Sequence, residues 1–350
     1  MKIFYSDEHH RHDPAFEVFD GGQRVPYLES PQRMDRILNA LRRTDWAEIT
    51  EPADFGLDPV RAVHSEDYLS FLASAWTEWL AAEPESAAAA DKTALMPATF
   101  AAKRDQMPET ILGKAGFFLL DLSVPIVEGT YAAALASAHC ALSAANHITS
   151  SAIRGPSSAF ALCRPPGHHA GREIAGGYCF LNNAAIAAQW LTKFGNVVVL
   201  DVDYHAGNGT QDIFYTRRDV LTISIHADPA FEYPYYAGYA NETGGGNGLG
   251  FHRNFPLPSG TDDASYLSTL DKAIILIQQF SPAHLVVSTG MDIYEGDPLG
   301  KFKITREGIS EIGRRIAALA LPTAVIMEGG YNTDALGENV AEFLEGVASR

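Results

Sequence analysis

Asp201, Asp203 and His205 stand two apart within residues 197–211, VVVLDVDYHAGNGTQ. Alternate side chains of a strand leave one face, at about 6–7 Å of rise, so this spacing suits a single metal ion held from one side. A further carboxylate, Asp292, follows the run LVVS at residues 285–288. Asp203, His205 and Asp292 make a three-ligand set with an open fourth position, the pattern of a catalytic rather than a structural zinc. Such donors also accept Fe(II) or Mn(II). A bridged metal pair needs more carboxylates, yet Gly207 sits two beyond His205 and Tyr294 two beyond Asp292.

His168 and His169 close the stretch 163–169, CRPPGHH. Paired imidazoles just past a strand suit acid–base work near neutral pH. Each needs a partner to fix its tautomer, and Asp201 and Asn208 are the candidates. An Asp partner keeps an imidazole protonated; an Asn partner leaves one neutral and able to act as a base. Tyr331 follows Gly329 and Gly330, so the backbone can swing its phenol toward a developing oxyanion. One such donor is worth about 3–4 kcal/mol. No G-x-S-x-G nucleophile motif is present, and Cys163 and Cys179 read as small buried residues. Taken singly, each feature has a plain reading: a satisfied polar strand end, a helix cap, a packed tyrosine. Together they describe metal-assisted hydrolysis of a carbonyl.

These groups need a scaffold that gathers them. Strands are expected at residues 1–5, 158–162, 197–203, 220–225, 284–288 and 323–327. Helices are expected at 34–43, 66–80 (capped by Ser65, with Asp67 in its first turn), 131–148, 182–194 (closed by Gly195), 263–279, 305–319 and 333–347. This alternation predicts an α/β fold with a parallel sheet and helices on both faces. Four strand ends then carry the chemistry: residues 163–169, Asp203 with His205, Asp292, and residues 328–331. Parallel strands bring all four to one rim, where open α/β sheets place their sites. No repeat or composition shift divides the chain, so residues 1–350 read as one catalytic domain, with long loops at about 7–32 and 82–128 as insertions. The glycine-rich run 244–250 matches no nucleotide-binding pattern and reads as a flexible surface loop.

With 43 acidic against 26 basic residues, the formal charge is −17. That balance disfavours nucleic acid and anionic membrane as partners. No apolar run is long enough to span a bilayer, and the start, MKIFYSDEHH, lacks a signal peptide's features. Three cysteines, none in a CxxC, point to a reducing, cytoplasmic setting.

RPPGHHA (164–170), GGYCFLNN (176–183), LDVDYHAGNGTQDIFY (200–215), STGMDIYEGDP (288–298) and EGGY (328–331) resemble the histone deacetylase superfamily, as do IFYSDEH and VPYLESPQR nearer the start. The likeness is greatest to its bacterial acetylpolyamine amidohydrolase branch and covers nearly the whole chain. It implies an arginase–deacetylase fold with a central eight-stranded parallel sheet. It implies zinc at Asp203, His205 and Asp292, His169 as general base, His168 as its electrostatic or acid partner, and Tyr331 polarising the carbonyl. Asp201 and Asn208 would pair with His168 and His169. A structural potassium ion would bind through Asp201, Asp203, His205, Ser224 and the Ile225 carbonyl. Gly177, Tyr178 and Tyr233 would line a substrate tunnel, narrowed by long loops in a homodimer. Two features depart from the pattern. Ala206 replaces the usual second histidine, and Leu112 and Ser123 stand where acidic tunnel-mouth residues are expected, with Glu109 and Asp121 nearby.

The resulting expectation is a zinc-dependent amidohydrolase that removes an acyl group, typically acetyl, from a small slender amine such as an acetylpolyamine. The rivals are a protein acetyl-lysine deacetylase, a hydrolase of other small neutral amides and, from a different class, a non-catalytic small-cation-binding protein.

Overall fold

The computed structural model describes residues 1–19, 22–82, 94–150 and 157–349. Ten strands are present among them: β1 (Lys2–Phe4), β2 (Glu17–Phe19), β3 (Gln23–Val25), β4 (Glu48–Thr50), β5 (Ser158–Ala161), β6 (Val197–Asp201), β7 (Val220–Ala227), β8 (His252–Leu257), β9 (His284–Thr289) and β10 (Thr323–Met327). Eight form one sheet in the order β4-β1-β5-β10-β9-β6-β7-β8, with every pairing parallel.

The inner strands are apolar runs because helices cover both of their faces. Along β6, Val197 and Val199 pack into one cluster with the helices Glu66–Ala82, Thr130–Ile148 and Asn183–Leu191. Val198 and Leu200 point the other way, toward Gln32–Leu41, Asp263–Phe280, Arg306–Ala317 and Leu336–Ala348. Side-chain oxygens cap four of these helices: Ser65 accepts from Tyr68 N, Asn182 from Ala185 N, Asp262 from Ser265 N and Thr305 from Gly308 N. Gly195, at φ 137°, reverses the chain into β6, a conformation that L side chains rarely adopt.

Several expectations are corrected. The stretch 7–32 is more than a loop: it holds a 3₁₀ turn (Asp7–Arg11) and the antiparallel pair β2–β3. Within 82–128, residues 83–93 lie outside the described residues, but the remainder is not a peripheral insertion. Its helix Ile111–Phe118 and the bridge Leu95–Ile126 bury Ala115, Phe118 and Ile126 in the main core. The central strand ends at Asp201 rather than 203, so Asp203 and His205 project from the bend beyond it. The run 244–250 contains a short 3₁₀ turn (Gly246–Gly248), and Gly248 abuts the backbone of residues 215–217 so closely that a Cβ would clash.

Candidate active site

The four strands that carry the polar motifs, β5, β10, β9 and β6, are consecutive in the sheet. Their C-terminal ends share one edge, and the residues that follow them meet there.

Beyond β6 and β9, Asp203, His205 and Asp292 come together. One ligand atom from each lies within 4.8 Å of the other two. His205 Nδ1 is 3.3 Å from Asp203 Oδ1 and 3.1 Å from Asp292 Oδ2. Both carboxylates are fully buried. Burial, reinforced by Asp203, pushes Asp292 up to about 7. Burial opposes charge on His205, but the two carboxylates outweigh it and carry the imidazole up to about 10. The cluster therefore calls for positive charge, which a proton supplies in part and a divalent cation supplies better. Glycine keeps it open: a Cβ on Gly290 or Gly329 would run into the carboxylates of Asp203 and Asp292.

The loop after β5 delivers the histidine pair, with ring centroids 3.9 Å apart. His168 Nδ1 lies 3.0 Å from Asp201 Oδ2, and His169 Nδ1 lies 2.6 Å from Asn208 Oδ1. Burial opposes charge on His168, yet Asp203 and Asp201 raise it to about 10. On His169 the balance is reversed: burial and then the neighbouring His168 and His205 outweigh Asn208 and Asp203 and hold it well below the usual histidine range. A buried carboxylate anchors this loop from β10: Glu328 Oε2 accepts from Gly167 N at 2.7 Å and His168 N at 3.1 Å, and Oε1 from the Ser288 hydroxyl at 3.1 Å. Burial pushes Glu328 up to about 7.

A cleft of about 600 Å³ opens onto this group, lined by His169, Gly177, Tyr178, His205, Tyr233 and Tyr331 among others. Tyr331 is held from behind. Its backbone N–H donates to Asp297 Oδ2 at 2.6 Å, and the Arg33 guanidinium sits 5.0 Å from its ring centroid. Tyr233 packs edge-on against His169 and donates to Asp121 Oδ2 at 2.7 Å. The same oxygen accepts from Gly177 N at 2.9 Å. A Cβ on Gly177 would collide with the His169 ring, and its φ of 52° also favours glycine.

The two departures resolve differently. Ser123 lies in the cleft wall and donates to Asp121, while Leu112 is exposed and absent from the lining. Glu17, Asp121 and Glu232 supply acidic lining, with Lys301 ion-paired to Glu232. Ala206 is buried against the Gly238 turn, where a Cβ on Gly238 would lie 2.7 Å from that of Ala206. For the potassium set, Asp201 faces Ser224 in register across β6 and β7, with Ile225 next along β7. Sequence reading missed Glu17, Arg33 and Asp297. The buried arginine left a trace, since a charge at a buried helical position of the Gln32–Leu41 helix demands a partner.

The histone deacetylase domain matches residues 27–347, and the chain belongs to that family. Among its relatives are acetylpolyamine amidohydrolases 2 and 1 of Pseudomonas aeruginosa, 43% and 44% identical, each alignment covering 99% of this chain and 98% of the relative. The enzyme of that name from Mycoplana ramosa is 41% identical over 99% of this chain and 100% of its own. The crystal structure of an acetylpolyamine aminohydrolase from Burkholderia pseudomallei superposes with a TM-score of 0.93 at 39% identity, covering 100% of this chain and 99% of that one.

Proposed function

We propose that this protein is a zinc-dependent amidohydrolase that releases acetate from a small acetylated amine of the polyamine class. The observation that carries the reading is the convergence of Asp203, His205 and Asp292 with the His168–His169 pair and Tyr331 at one cleft. Two carboxylates and one imidazole fit a divalent cation with a position left for substrate; Fe(II) and Mn(II) are workable substitutes. When bound, the cation supplies Lewis acidity to the amide carbonyl and makes water more acidic.

The side chains do the rest. His169, kept neutral, takes a proton as water adds to the carbonyl carbon. Tyr331 donates a hydrogen bond to the oxygen as it becomes an oxyanion. His168, kept charged by Asp201, stabilises the negative charge that builds beside it. The histidine pair returns the proton to the amine nitrogen as the C–N bond breaks, and the acid's proton follows it, giving carboxylate and the protonated amine.

Three acidic groups against one lysine along the cleft suit a chain bearing further ammonium groups. Potassium at Asp201, Asp203, His205, Ser224 and the Ile225 carbonyl would brace the end of β6. Phe231 on the cleft lining and Tyr236 next in the chain to the lining residue Tyr235, 77% and 91% accessible, support assembly as a homodimer. Three unpaired buried cysteines, and no described helix long and apolar enough to cross a membrane, support a cytoplasmic location. The test is acetate release from acetylputrescine by chain reconstituted with one equivalent of zinc, against metal-free chain. Equal rates in both would refute the reading.

A further inference from the structure

Behind the site lies a buried Arg–Glu–Arg group that the reaction itself does not use. Glu29 and Arg33 are fully buried and Arg164 nearly so. Glu29 Oε1 accepts from Arg33 Nη1 at 2.6 Å and from Arg164 Nε at 3.0 Å. Its other oxygen, Oε2, is buried without a hydrogen-bond partner.

Each arginine ties Glu29 to a different catalytic loop. Arg33 donates through Nε to the Gly330 carbonyl at 2.6 Å and through Nη2 to the Glu328 carbonyl at 2.7 Å, and its guanidinium stands 5.0 Å from the Tyr331 ring. Arg164 opens the loop that ends in His168 and His169. It donates to the His9 carbonyl at 2.6 Å and the Glu29 carbonyl at 2.7 Å. Two guanidinium groups this close would repel in the interior without a shared anion.

We infer that Glu29 is a positioning residue: its carboxylate fixes Arg33 and Arg164 together and so sets the Tyr331 loop against the His168–His169 loop. A single oxygen bonding both arginines makes the coupling direct, since moving one guanidinium shifts the other's acceptor. The energetic role follows from the charge count. Removing the anion leaves two buried cations whose remaining anchors are main-chain carbonyls, and the loops carrying those carbonyls must give. The inference rests on the proposed function only in taking Tyr331 as the donor to the carbonyl oxygen.

The test is a double-mutant cycle on zinc-reconstituted enzyme, with thermal unfolding measured alongside. Glu29→Gln keeps the shape and one acceptor oxygen but deletes the charge. It should lower kcat by about 10–100-fold with little change in KM, the scale of a misplacement near 1 Å. In a Tyr331→Phe background the same substitution should cost no more than about threefold, because the donor it positions is already gone. Glu29→Asp, which keeps the charge but reaches less far, should fall between wild type and Glu29→Gln; if the glutamine variant does not fold, the aspartate variant is taken through the same cycle. Unchanged kcat in the folded variants overturns the inference. So does a loss that persists in full in the Tyr331→Phe background, which would mark a merely structural role. Wild-type turnover in Tyr331→Phe alone instead removes the parent reading.

Discussion

The rings of His168 and His169 lie 3.9 Å apart, yet one faces the carboxylate of Asp201 and the other the amide oxygen of Asn208. Asp203 and Asp201 together keep His168 charged, while burial and the neighbouring His168 and His205 keep His169 neutral. An amide oxygen only accepts, so His169 Nδ1 carries a hydrogen and Nε2 keeps its lone pair. Environments that push two neighbouring titrations apart divide the roles of acid and base.

The first prediction follows from this pair. His169 acts when neutral, and its pKa is lowered by burial and its cationic neighbours, so the acidic limb of kcat/KM falls below the ordinary histidine value of about 6.5. Asn208→Asp places an anion on His169 and should move that limb upward by about one to three units. A limb that stays put in the variant removes His169 from the base role.

Tyr331→Phe deletes one hydroxyl from the cleft wall and touches none of the three candidate ligands. It should retain metal and lose about two to three orders of magnitude in kcat. Metal content and steady-state kinetics on the same preparation check this together.

Asp203→Ala removes a fully buried carboxylate from the donor set and leaves His205 facing Asp292 alone. Zinc bound per chain should fall from about one to near zero by elemental analysis. Stoichiometric zinc in the variant would contradict the assignment.

Stability should also depend on acid. His12 is held well below its ordinary pKa by burial, and burial lowers His9 to about 3 and His64, His226 and His252 to about 4. Each is buried in the fold. Their unfolded forms take up a proton near 6.5 while the folded ones resist, so their contribution is whole above that pH and drains away as pH falls toward 4. The loss is about 1.4 kcal/mol per pH unit for each histidine. Asp292 and Glu328, pushed up to about 7, take up protons in the fold over the same range and oppose this loss, so the check is made ring by ring: imidazole resonances followed by NMR from pH 7.5 to 4.5 should show these five largely neutral, and one that titrates near 6.5 in the folded protein would contradict it.

Much of this molecule was legible in its residues because burial on both faces writes itself as apolar runs. β6, β7, β9 and β10 are fully buried and were placed to within a few residues. Short or edge elements were not. β4 is three residues at the sheet margin, and β8, the opposite edge, contains Pro256, which argues against a strand except at an edge. The helix Asn208–Phe214 opens in Asn-Gly, which masks its start. At the site, the pairings of His168 with Asp201 and of His169 with Asn208 were anticipated. Glu29 and Asp297 could not be, because a carboxylate's value there depends on which distant loop folds over it. Tyr331 N meets Asp297 across 34 residues, and Arg164 meets Glu29 across 135.

The most direct measurement is a substrate panel on zinc-reconstituted chain: acetylputrescine, acetylspermidine, an acetyl-lysine peptide and a neutral acetanilide, each assayed for acetate release. A cleft lined by Glu17, Asp121 and Glu232 predicts the greatest kcat/KM for the two acetylated polyamines. A peptide or anilide turned over as fast as both would contradict the substrate class, and no release from any of the four would contradict the hydrolase itself.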